Sequence, residues 1–496
     1  MIAVGRNPMV VIRQGDGMER VLILGSSGFV GSNLVAQLQR NGHPLRLASR
    51  TPALLNRSAW QQHQRVQADL LVPSTLPAAL ADIDVVYCLV HGMTEGRDYQ
   101  RREADGARNL AAAAADAGVK RIIYLGAVCP DGAQSTHLSS RTETGEILRQ
   151  GRVPVVELRA PVIIGPGSAA FEVMRDLVSN LPLMITPRWV RSKMAPIALD
   201  DLLFYLQLLA QTDECDGQIL NACGPQVLSY EQMMQRLANK LGKSIKIIQV
   251  PLLSPDLSSH WLRFITSVPD GIAKALIGGL KQDLLVDDLP LRQRFPKRLL
   301  SFDEAISVAL TQEQGNLLAQ DPSLSALLKR RWQPNFAFYP KTEQATVLID
   351  ATPQQVWQQL CQIGAKPRYF ALDPLWRIRE LMDAMIGGEG RNYYRRDPFH
   401  LQLGDRIDSW RVAECDEPTK LTLHFGMKAP GMGGLTFTLR PQQQQTELTV
   451  KCWWHPAGAP GLLYWWAMLP AHAVIFQMMG DKIRRLSEDS AVVSVT

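Results

Sequence analysis

Three glycines near the start of the chain are spaced for phosphate binding. Gly25, Gly28 and Gly31 follow the apolar run Val21–Leu24 and precede a segment with helical periodicity. The first glycine of such a loop permits the tight turn, the second lets the backbone approach a pyrophosphate, and the third allows close helix–strand packing. Free N–H groups at the helix start then face the phosphates. The spacing and its context predict a dinucleotide-binding loop, with a fold that has lost its ligand as the alternative. The loop comprises Gly25, Ser26, Ser27, Gly28, Phe29, Val30 and Gly31.

Charged residues after the next strands indicate which dinucleotide fits. The second strand of the pattern ends at Ser49 and Arg50. A site that prefers NAD usually has an acidic residue here for the ribose hydroxyls, whereas an arginine suits the 2′-phosphate of NADP. We therefore favour NADP over NAD; an exposed arginine at a strand end, without a ligand, is the alternative. Asp69 and Leu70 follow at a spacing where a carboxylate could meet the adenine amino group, and a solvated turn explains Asp69 equally well.

Strand-like and helical patterns alternate through the first part of the chain. Residues 45–48, 85–90, 121–125 and 153–158 are typical of strands, and residues 103–117, 202–211, 230–241 and 302–319 are typical of helices. Such alternation predicts a parallel sheet covered by helices on both faces. The predicted fold class is therefore α/β, a doubly wound Rossmann fold.

Several motifs of this part carry a family resemblance. They are the Gly25/Gly28/Gly31 loop, Asp69-Leu70, Tyr87-Cys-Leu-Val-His91, Arg121-Ile-Ile-Tyr-Leu-Gly126 and Leu158-Arg-Ala-Pro-Val-Ile-Ile-Gly165. Residues from about 20 to 315 resemble the extended or atypical short-chain dehydrogenase/reductase superfamily. The resemblance implies that Val90 and His91 line the adenine–ribose side of the cofactor. It also implies that Gly126 and Ala127 lie near the nicotinamide, and that the segment Pro161, Val162 and Ile163 packs against it.

The proton-relay pair of that superfamily is changed in this chain. Active members use Tyr-x-x-x-Lys, in which the tyrosine transfers the proton and the lysine lowers its pKa and holds the ribose. The aligned segment is His137-Leu-Ser-Ser-Arg141, which keeps the spacing and replaces both side chains. A histidine can still be a general acid or base, whereas an arginine stays protonated. Ala127 also stands where a catalytic Ser or Thr is common.

Two functions remain open at this point. One is an NADPH-dependent oxidoreductase that acts on a small or lipid-like carbonyl compound, with His137 and Arg141 as the catalytic pair. The other is a non-catalytic, nucleotide-dependent binding, sensing or assembly protein. The superfamily includes both kinds, among them NmrA-like redox sensors and the Rossmann subunit of respiratory complex I.

The alternation of strands and helices ends at a polar, proline-flanked segment at 321–334. This segment predicts a linker between a domain at 18–320 and one at 335–490.

The second domain has a different pattern. Thr352-Pro353 predicts a helix start, and apolar–polar alternation in 421–425, 435–439 and 448–452 predicts antiparallel strands. Further motifs are Ile349-Asp-Ala-Thr-Pro-Gln-Gln-Val-Trp357, Leu375-Trp-Arg-Ile-Arg379, Gly387-Gly388, Arg395-Arg-Asp-Pro398, Gly404-Asp405, Ser409-Trp-Arg-Val412 and Met427-Lys-Ala-Pro-Gly431.

Those motifs resemble the START-like, helix-grip superfamily. The resemblance implies a C-terminal α+β helix-grip domain in which a curved antiparallel sheet closes around a long final helix. Such a domain commonly leaves an apolar cavity for a lipid-like or aromatic ligand, and a filled core is the alternative.

Composition limits the partners. The 496 residues include 53 Lys+Arg and 47 Asp+Glu without a long basic run, so no nucleic-acid partner is expected. Seven scattered cysteines without a Cys-x-x-Cys pair favour a reducing, cytoplasmic location.

No cluster of His, Asp or Glu residues has the spacing of metal ligands, so no metal site is expected. The first 17 residues contain no secretory signal and are predicted to be a disordered extension.

One apolar stretch raises the question of a membrane. Residues 462–479 contain no charged side chain and are followed by Lys482, Arg484 and Arg485. Pro470, His472 and Gln477 would raise the cost of insertion. We favour a buried final helix, with contact at a membrane surface and a true span as the alternatives. The oligomeric state is left open.

Overall fold

The chain forms two compact units. In the computed structural model the residues described are 19–91, 98–129, 136–250, 262–279, 282–320, 333, 335–364, 369–370, 372–385, 387, 396–397 and 399–493. The predicted extension at 1–17 and nearly all of the predicted linker at 321–334 lie outside them. The N-terminal unit comprises Met1–Arg263 and Val268–Gln312, and the C-terminal unit comprises Phe264–Ser267 and Glu313–Thr496. Each unit is described separately below.

The N-terminal unit is built on a seven-stranded parallel sheet. Its strands are β1 Val21–Leu24, β2 Leu45–Ser49, β3 Gln64–Gln67, β4 Val85–Cys88, β5 Arg121–Ala127, β6 Val155–Ala160 and β11 Ile219–Asn221. The order across the sheet is β11-β6-β5-β4-β1-β2-β3, so the chain reverses its direction of travel at β1. This is the doubly wound arrangement, and the α/β prediction is confirmed.

Short strand pairs and helices complete this unit. The pairs join β7 Ile163–Ile164 to β10 Ile197–Ala198, β8 Leu183–Thr186 to β13 Lys246–Gln249, and β9 Lys193–Met194 to β12 Leu228–Ser229. The helices are α1 Phe29–Arg40, α2 Leu76–Leu80, α3 Tyr99–Asp116, α4 Thr136–Arg149, α5 Ala169–Asn180, α6 Leu199–Ala210, α7 Tyr230–Lys240, α8 Asp270–Gly279, α9 Leu289–Arg294 and α10 Phe302–Gln320. The residues of α10 after Gln312 belong to the C-terminal unit.

Side-chain alternation along β1 distributes the core over two layers. Val21 and Ile23 pack with Leu34 of α1 and Leu202 of α6 in one hydrophobic cluster. Leu22 and Leu24 point the other way and pack with residues of α2, α3 and α4. Because β1 is buried on both faces, its sequence is continuously apolar, which is why it could be predicted from the sequence.

The C-terminal unit contains a six-stranded antiparallel sheet. Its strands are β14 Lys341–Ile349, β15 Arg406–Ile407, β16 Trp410–Asp416, β17 Lys420–Phe425, β18 Gly431–Gln442 and β19 Gln445–Pro456, in the order β14-β19-β18-β17-β16-β15. Its helices are α11 Pro353–Leu360, α12 Asp373–Met385 and α13 Gly458–Val493. The predicted antiparallel sheet and long final helix are confirmed. The Thr352 hydroxyl accepts a hydrogen bond from the backbone N–H of Gln355, which confirms the predicted start of α11.

Helix α13 has a buried and an exposed face. Trp465, Phe476 and Met479 are among its residues in the core, whereas Leu463 and Val474 are exposed. By length and composition, residues Gly458–Ser490 could cross a membrane, and 28% of the apolar window is buried inside the structure. The helix therefore contributes to the core through one side only.

Candidate nucleotide-binding site

A cavity of about 340 Å³ opens at the carboxyl ends of three neighbouring strands. These strands are β2, β1 and β4, where the strand order reverses, which is the position at which open α/β sheets bind ligands. Eight residues predicted from the sequence line this cavity: Gly25, Ser27, Gly28, Ser49, Arg50, Leu70, Val90 and His91.

The glycine loop has the geometry that a pyrophosphate requires. Gly25 adopts a φ of +84°, and the N–H of Gly28 donates to its carbonyl at 3.0 Å. A Cβ on Gly31 would collide with the Gly25 carbonyl oxygen and lie 2.9 Å from the Ser26 Cα. No side chain caps the start of α1, so its first N–H groups are available to an anion. The loop therefore fits a dinucleotide, with Gly25 and Gly28 at the cavity and Gly31 against the turn.

Other loop residues support the turn. Ser26 is buried, and its hydroxyl donates to the Ala48 carbonyl at 3.1 Å, which joins the loop to β2. Phe29 and Val30 are partly buried and pack against the core beneath α1. These three residues lie in the loop as expected but are not part of the cavity lining.

The side of the cavity next to β2 combines apolar walls with an arginine at its edge. Arg50 is exposed at its edge, and Leu54 and Leu70 form apolar walls. The Asp69 carboxylate accepts the Leu71 N–H at 2.9 Å, the geometry of a turn. Arg57, which sequence reasoning missed, lies over the Trp60 ring at 4.3 Å and donates to the Ser27 carbonyl at 3.4 Å.

Arg141 is committed to backbone partners. It is buried, its guanidinium donates to the Leu125 carbonyl and, at 3.2 Å, to the Val90 carbonyl, and it lies 4.8 Å from the Tyr124 ring. These bonds tie α4 to the ends of β4 and β5. The structure therefore gives Arg141 a positioning role beside the cavity rather than a place in its lining.

His137 lies near Arg141 in surroundings that keep it neutral. Burial, reinforced by the charge of Arg141, lowers the pKa of His137 to about 4, although Glu103 opposes the shift. Its Nδ1 has no hydrogen-bond partner among the described residues. At neutral pH the ring can offer an N–H or accept a proton, but it is not a charged acid. Glu103 lines the cavity and accepts a hydrogen bond from Ser140, and sequence reasoning missed it too.

The residues predicted near the nicotinamide lie at the ends of β5 and β6. Ala127 and Val162 pack with Leu138 in a hydrophobic cluster, and Gly126 faces the Glu157 carboxylate, which a Cβ would approach to 3.0 Å. Pro161 and Ile163 flank Val162 and are half-buried. These five residues are not among the described residues that line the cavity. The segments 92–97 and 130–135, which follow β4 and β5, lie outside the described residues.

Family models match both units. Residues 25–153 match the family described as NAD(P)H-binding, and residues 338–479 match a family described as a protein of unknown function, DUF2867. The 3-beta-hydroxysteroid dehydrogenase of Mycolicibacterium neoaurum is 35% identical over 115 residues, which are 21% of this chain and 31% of that protein. The 3 beta-hydroxysteroid dehydrogenase/Delta 5-->4-isomerase of Mycobacterium tuberculosis is 34% identical over 127 residues, which are 23% of this chain and 34% of that protein. The chain thus spans about a third of the length of these curated relatives.

Solved structures are similar over more than half of the chain. The triphenylmethane reductase of Citrobacter sp. complexed with NADP(H) is 17% identical, with a TM-score of 0.48 over 58% of this chain and 99% of that one.

The cavity, the glycine loop and the family match define the class of the first unit. It is an NAD(P)-binding Rossmann domain of the atypical short-chain dehydrogenase/reductase type. It is fused to a second domain of the DUF2867 family. No group of three or more potential metal ligands occurs among the described residues.

Proposed function

We propose that the N-terminal domain binds NADPH and reduces a small or lipid-like carbonyl compound. The observation that carries the proposal is Arg50, a cation at the edge of the cavity and at the end of β2, next to the glycine loop. A guanidinium pairs well with a phosphate through two parallel hydrogen bonds. The similarity of the chain to hydroxysteroid dehydrogenases supports a reaction at a carbonyl or hydroxyl carbon.

When bound, the nucleotide would supply a hydride, and the protein would position the acceptor and manage the proton. The uncapped N–H groups at the start of α1, which follow Gly28, would hold the pyrophosphate. His137, as a neutral imidazole, would orient a carbonyl oxygen through an N–H hydrogen bond, and Arg141 would keep the Val90 backbone in place. We include a cytoplasmic location in the proposal, because the seven cysteines, all of them among the described residues, form no disulfide bond with one another.

One observation favours a second candidate function. Arg141 donates to two backbone carbonyls, and the pKa of His137 is lowered to about 4. Neither group then reproduces the tyrosine and lysine of active relatives. This favours a protein that binds NADPH without turnover and changes its affinity for a further partner. In this proposal the further partner is not a nucleic acid.

The test is a fluorescence titration of the full chain with NADPH and NADH, repeated on Arg50→Asp. We expect the wild type to prefer NADPH, and the variant to bind NADPH about tenfold or more weakly while NADH binding is retained, because only NADPH carries the 2′-phosphate. Arg65→Asp is the matched control. Arg65 is exposed on β3, and its substitution changes the net charge by the same amount as Arg50→Asp.

Equal weakening of both nucleotides by Arg50→Asp would overturn the assignment of NADP. A screen of carbonyl compounds that follows NADPH oxidation then separates the two candidate functions. Tight NADPH binding without oxidation by any aldehyde, ketone or steroid would favour the second.

A further inference from the structure

The C-terminal domain contains a second cavity, of about 500 Å³, between the sheet and helices α12 and α13. This volume is within the range of about 300–1,000 Å³ that holds drug-sized ligands. Aromatic side chains are numerous in its walls and include Trp376, Trp410, Phe425, Trp454 and Phe476. This site is separate from the nucleotide cavity, and its occupancy does not depend on the function proposed above.

Two glycines of β18 lie against the Trp454 ring, which forms part of the cavity wall. Gly433 pairs with Trp454 of β19, and the Trp454 indole lies along the sheet so that a Cβ on Gly433 would come within 2.8 Å of its Cε3. A Cβ on Gly431 would approach Cε2 of the same ring to 2.8 Å. Because these positions carry no side chain, the Trp454 ring can lie close to the backbone of β18. The strand pairing thus sets the position of one aromatic side chain in the cavity wall.

Arg379 is the one charged residue among the described residues that line the cavity. Its guanidinium lies 4.6 Å from the Phe425 ring and 5.1 Å from the Tyr464 ring, and it donates to the Tyr464 hydroxyl. No carboxylate of the described residues forms an ion pair with it. Aromatic faces thus hold a cation that lacks a counter-ion within the described part of the chain, an arrangement that suits an incoming anion.

The other polar groups of the cavity are neutral. Burial, together with the charge of Arg379, lowers the pKa of His472 to about 4. Its ring stacks on Phe476 at 5.2 Å, and its buried Nδ1 has no hydrogen-bond partner among the described residues. Burial raises the pKa of the Cys452 thiol to about 12, so this cysteine is not a nucleophile at neutral pH. The cavity therefore presents one positive charge and one neutral imidazole in an aromatic wall.

We propose that the C-terminal domain binds a small aromatic monoanion in this cavity, with its acidic group on Arg379 and its ring system against Trp410, Phe425 and Trp454. Charge complementarity selects the anion, and a neutral molecule would leave the guanidinium without a counter-ion. Face and edge contacts with several rings favour a planar ring system over a flexible acyl chain, which loses more conformational freedom on binding.

The experiment uses pyrenebutyrate and its neutral analogue pyrenebutanol as probes on the full chain. Energy transfer from tryptophan to pyrene reports binding. We expect the acid to bind about tenfold or more tightly than the alcohol, since the charged pair contributes only with the acid. Arg379→Gln should remove this difference, whereas Arg377→Gln, an exposed position on the same helix, should preserve it.

A second variant tests the location without touching the charge. Ala471→Phe places a ring inside the cavity from α13 and should abolish binding of both probes, while calorimetry still shows the unfolding transition of the C-terminal domain as a check on its folding. Equal binding of acid and alcohol by the wild type would overturn the proposal, as would an unaltered acid preference in Arg379→Gln. Palmitate that binds more tightly than pyrenebutyrate would overturn the preference for a ring system.

Discussion

His137, which is predicted to occupy the position of the superfamily's tyrosine, lies where its charged form is disfavoured. Its pKa falls to about 4, first because of burial and then because of the Arg141 charge. The consequence for chemistry is that any proton leaving this ring at neutral pH comes from a neutral imidazole, a weak acid. The residue is therefore better suited to orienting an oxygen than to protonating it.

The same shift predicts a dependence of stability on pH. An unfolded histidine titrates near pH 6.5, so between pH 6.5 and about 4 the unfolded chain binds a proton that folded His137 does not. The free energy of unfolding should fall as pH drops through this window, and less so in His137→Gln. Urea unfolding of the two proteins at pH 7.5 and 5 measures the difference.

The control for this prediction is His400→Gln, whose parent side chain is 78% exposed. The free energy of unfolding of His400→Gln should keep most of the pH dependence of the wild type. If the His137→Gln and wild-type curves run parallel from pH 7.5 to 5, the neutral, buried state of His137 is wrong.

At the scale of the element, the approach of α1 to β1 shapes the nucleotide loop. Gly31 sits where even a Cβ would collide with the Gly25–Ser26 turn. The buried face of α1, Leu34, Val35 and Leu38, repeats with the period of a helix and holds it on the sheet. The helix start, and with it the row of free N–H groups, is thereby directed at the cavity.

Gly31→Ala should separate this helix start from the turn. The added Cβ collides with the Gly25 carbonyl, so we expect a loss of about 1–3 kcal/mol in the free energy of unfolding and weaker NADPH binding. Gly315→Ala in α10 is the matched control. Its Cβ meets open space, and helix propensity should stabilise the chain by up to about 1 kcal/mol. Urea unfolding and NADPH titration of both variants test this prediction. If Gly31→Ala changed neither the free energy of unfolding nor the affinity for NADPH, the interpretation of a tightly packed loop would be wrong.

At the scale of the whole molecule, each unit has its own hydrophobic core. The clusters that contain β1 to β6 are formed by residues of the N-terminal unit. A separate cluster joins the antiparallel sheet to α11 and α13 in the C-terminal unit. We therefore expect a ligand that binds one unit to stabilise the core of that unit.

Differential scanning calorimetry of the full chain should show whether the two units unfold in separate transitions. NADPH at about 100 times its dissociation constant contributes about 2.7 kcal/mol to the state that binds it, so it should raise the melting temperature of one unfolding transition and leave the other in place. Pyrenebutyrate should move the transition that NADPH does not. A single transition that shifts equally with either ligand would contradict independent cores.

Local sequence patterns by themselves determined several secondary-structure elements of this protein and the position of its glycine loop. The glycine spacing, the buried strand β1 and the Thr352-Pro353 helix start were predictable because each depends on sterics or periodicity within a few residues. Strand β3 was missed, since its sequence, Gln64–Gln67, is polar and mostly exposed at the edge of the sheet. Helix α12 was also missed.

Only the tertiary structure decided what the candidate sites can do. Arg141 looked like a substitute for a ribose-binding lysine, and its partners proved to be carbonyls of Val90 and Leu125, which are distant in sequence. The position of Trp454 in the cavity wall depends on the cross-strand register that places Gly433 opposite it. Local sequence specifies which residues prefer a strand or a helix, but burial, charge pairing and empty space arise only when distant segments meet.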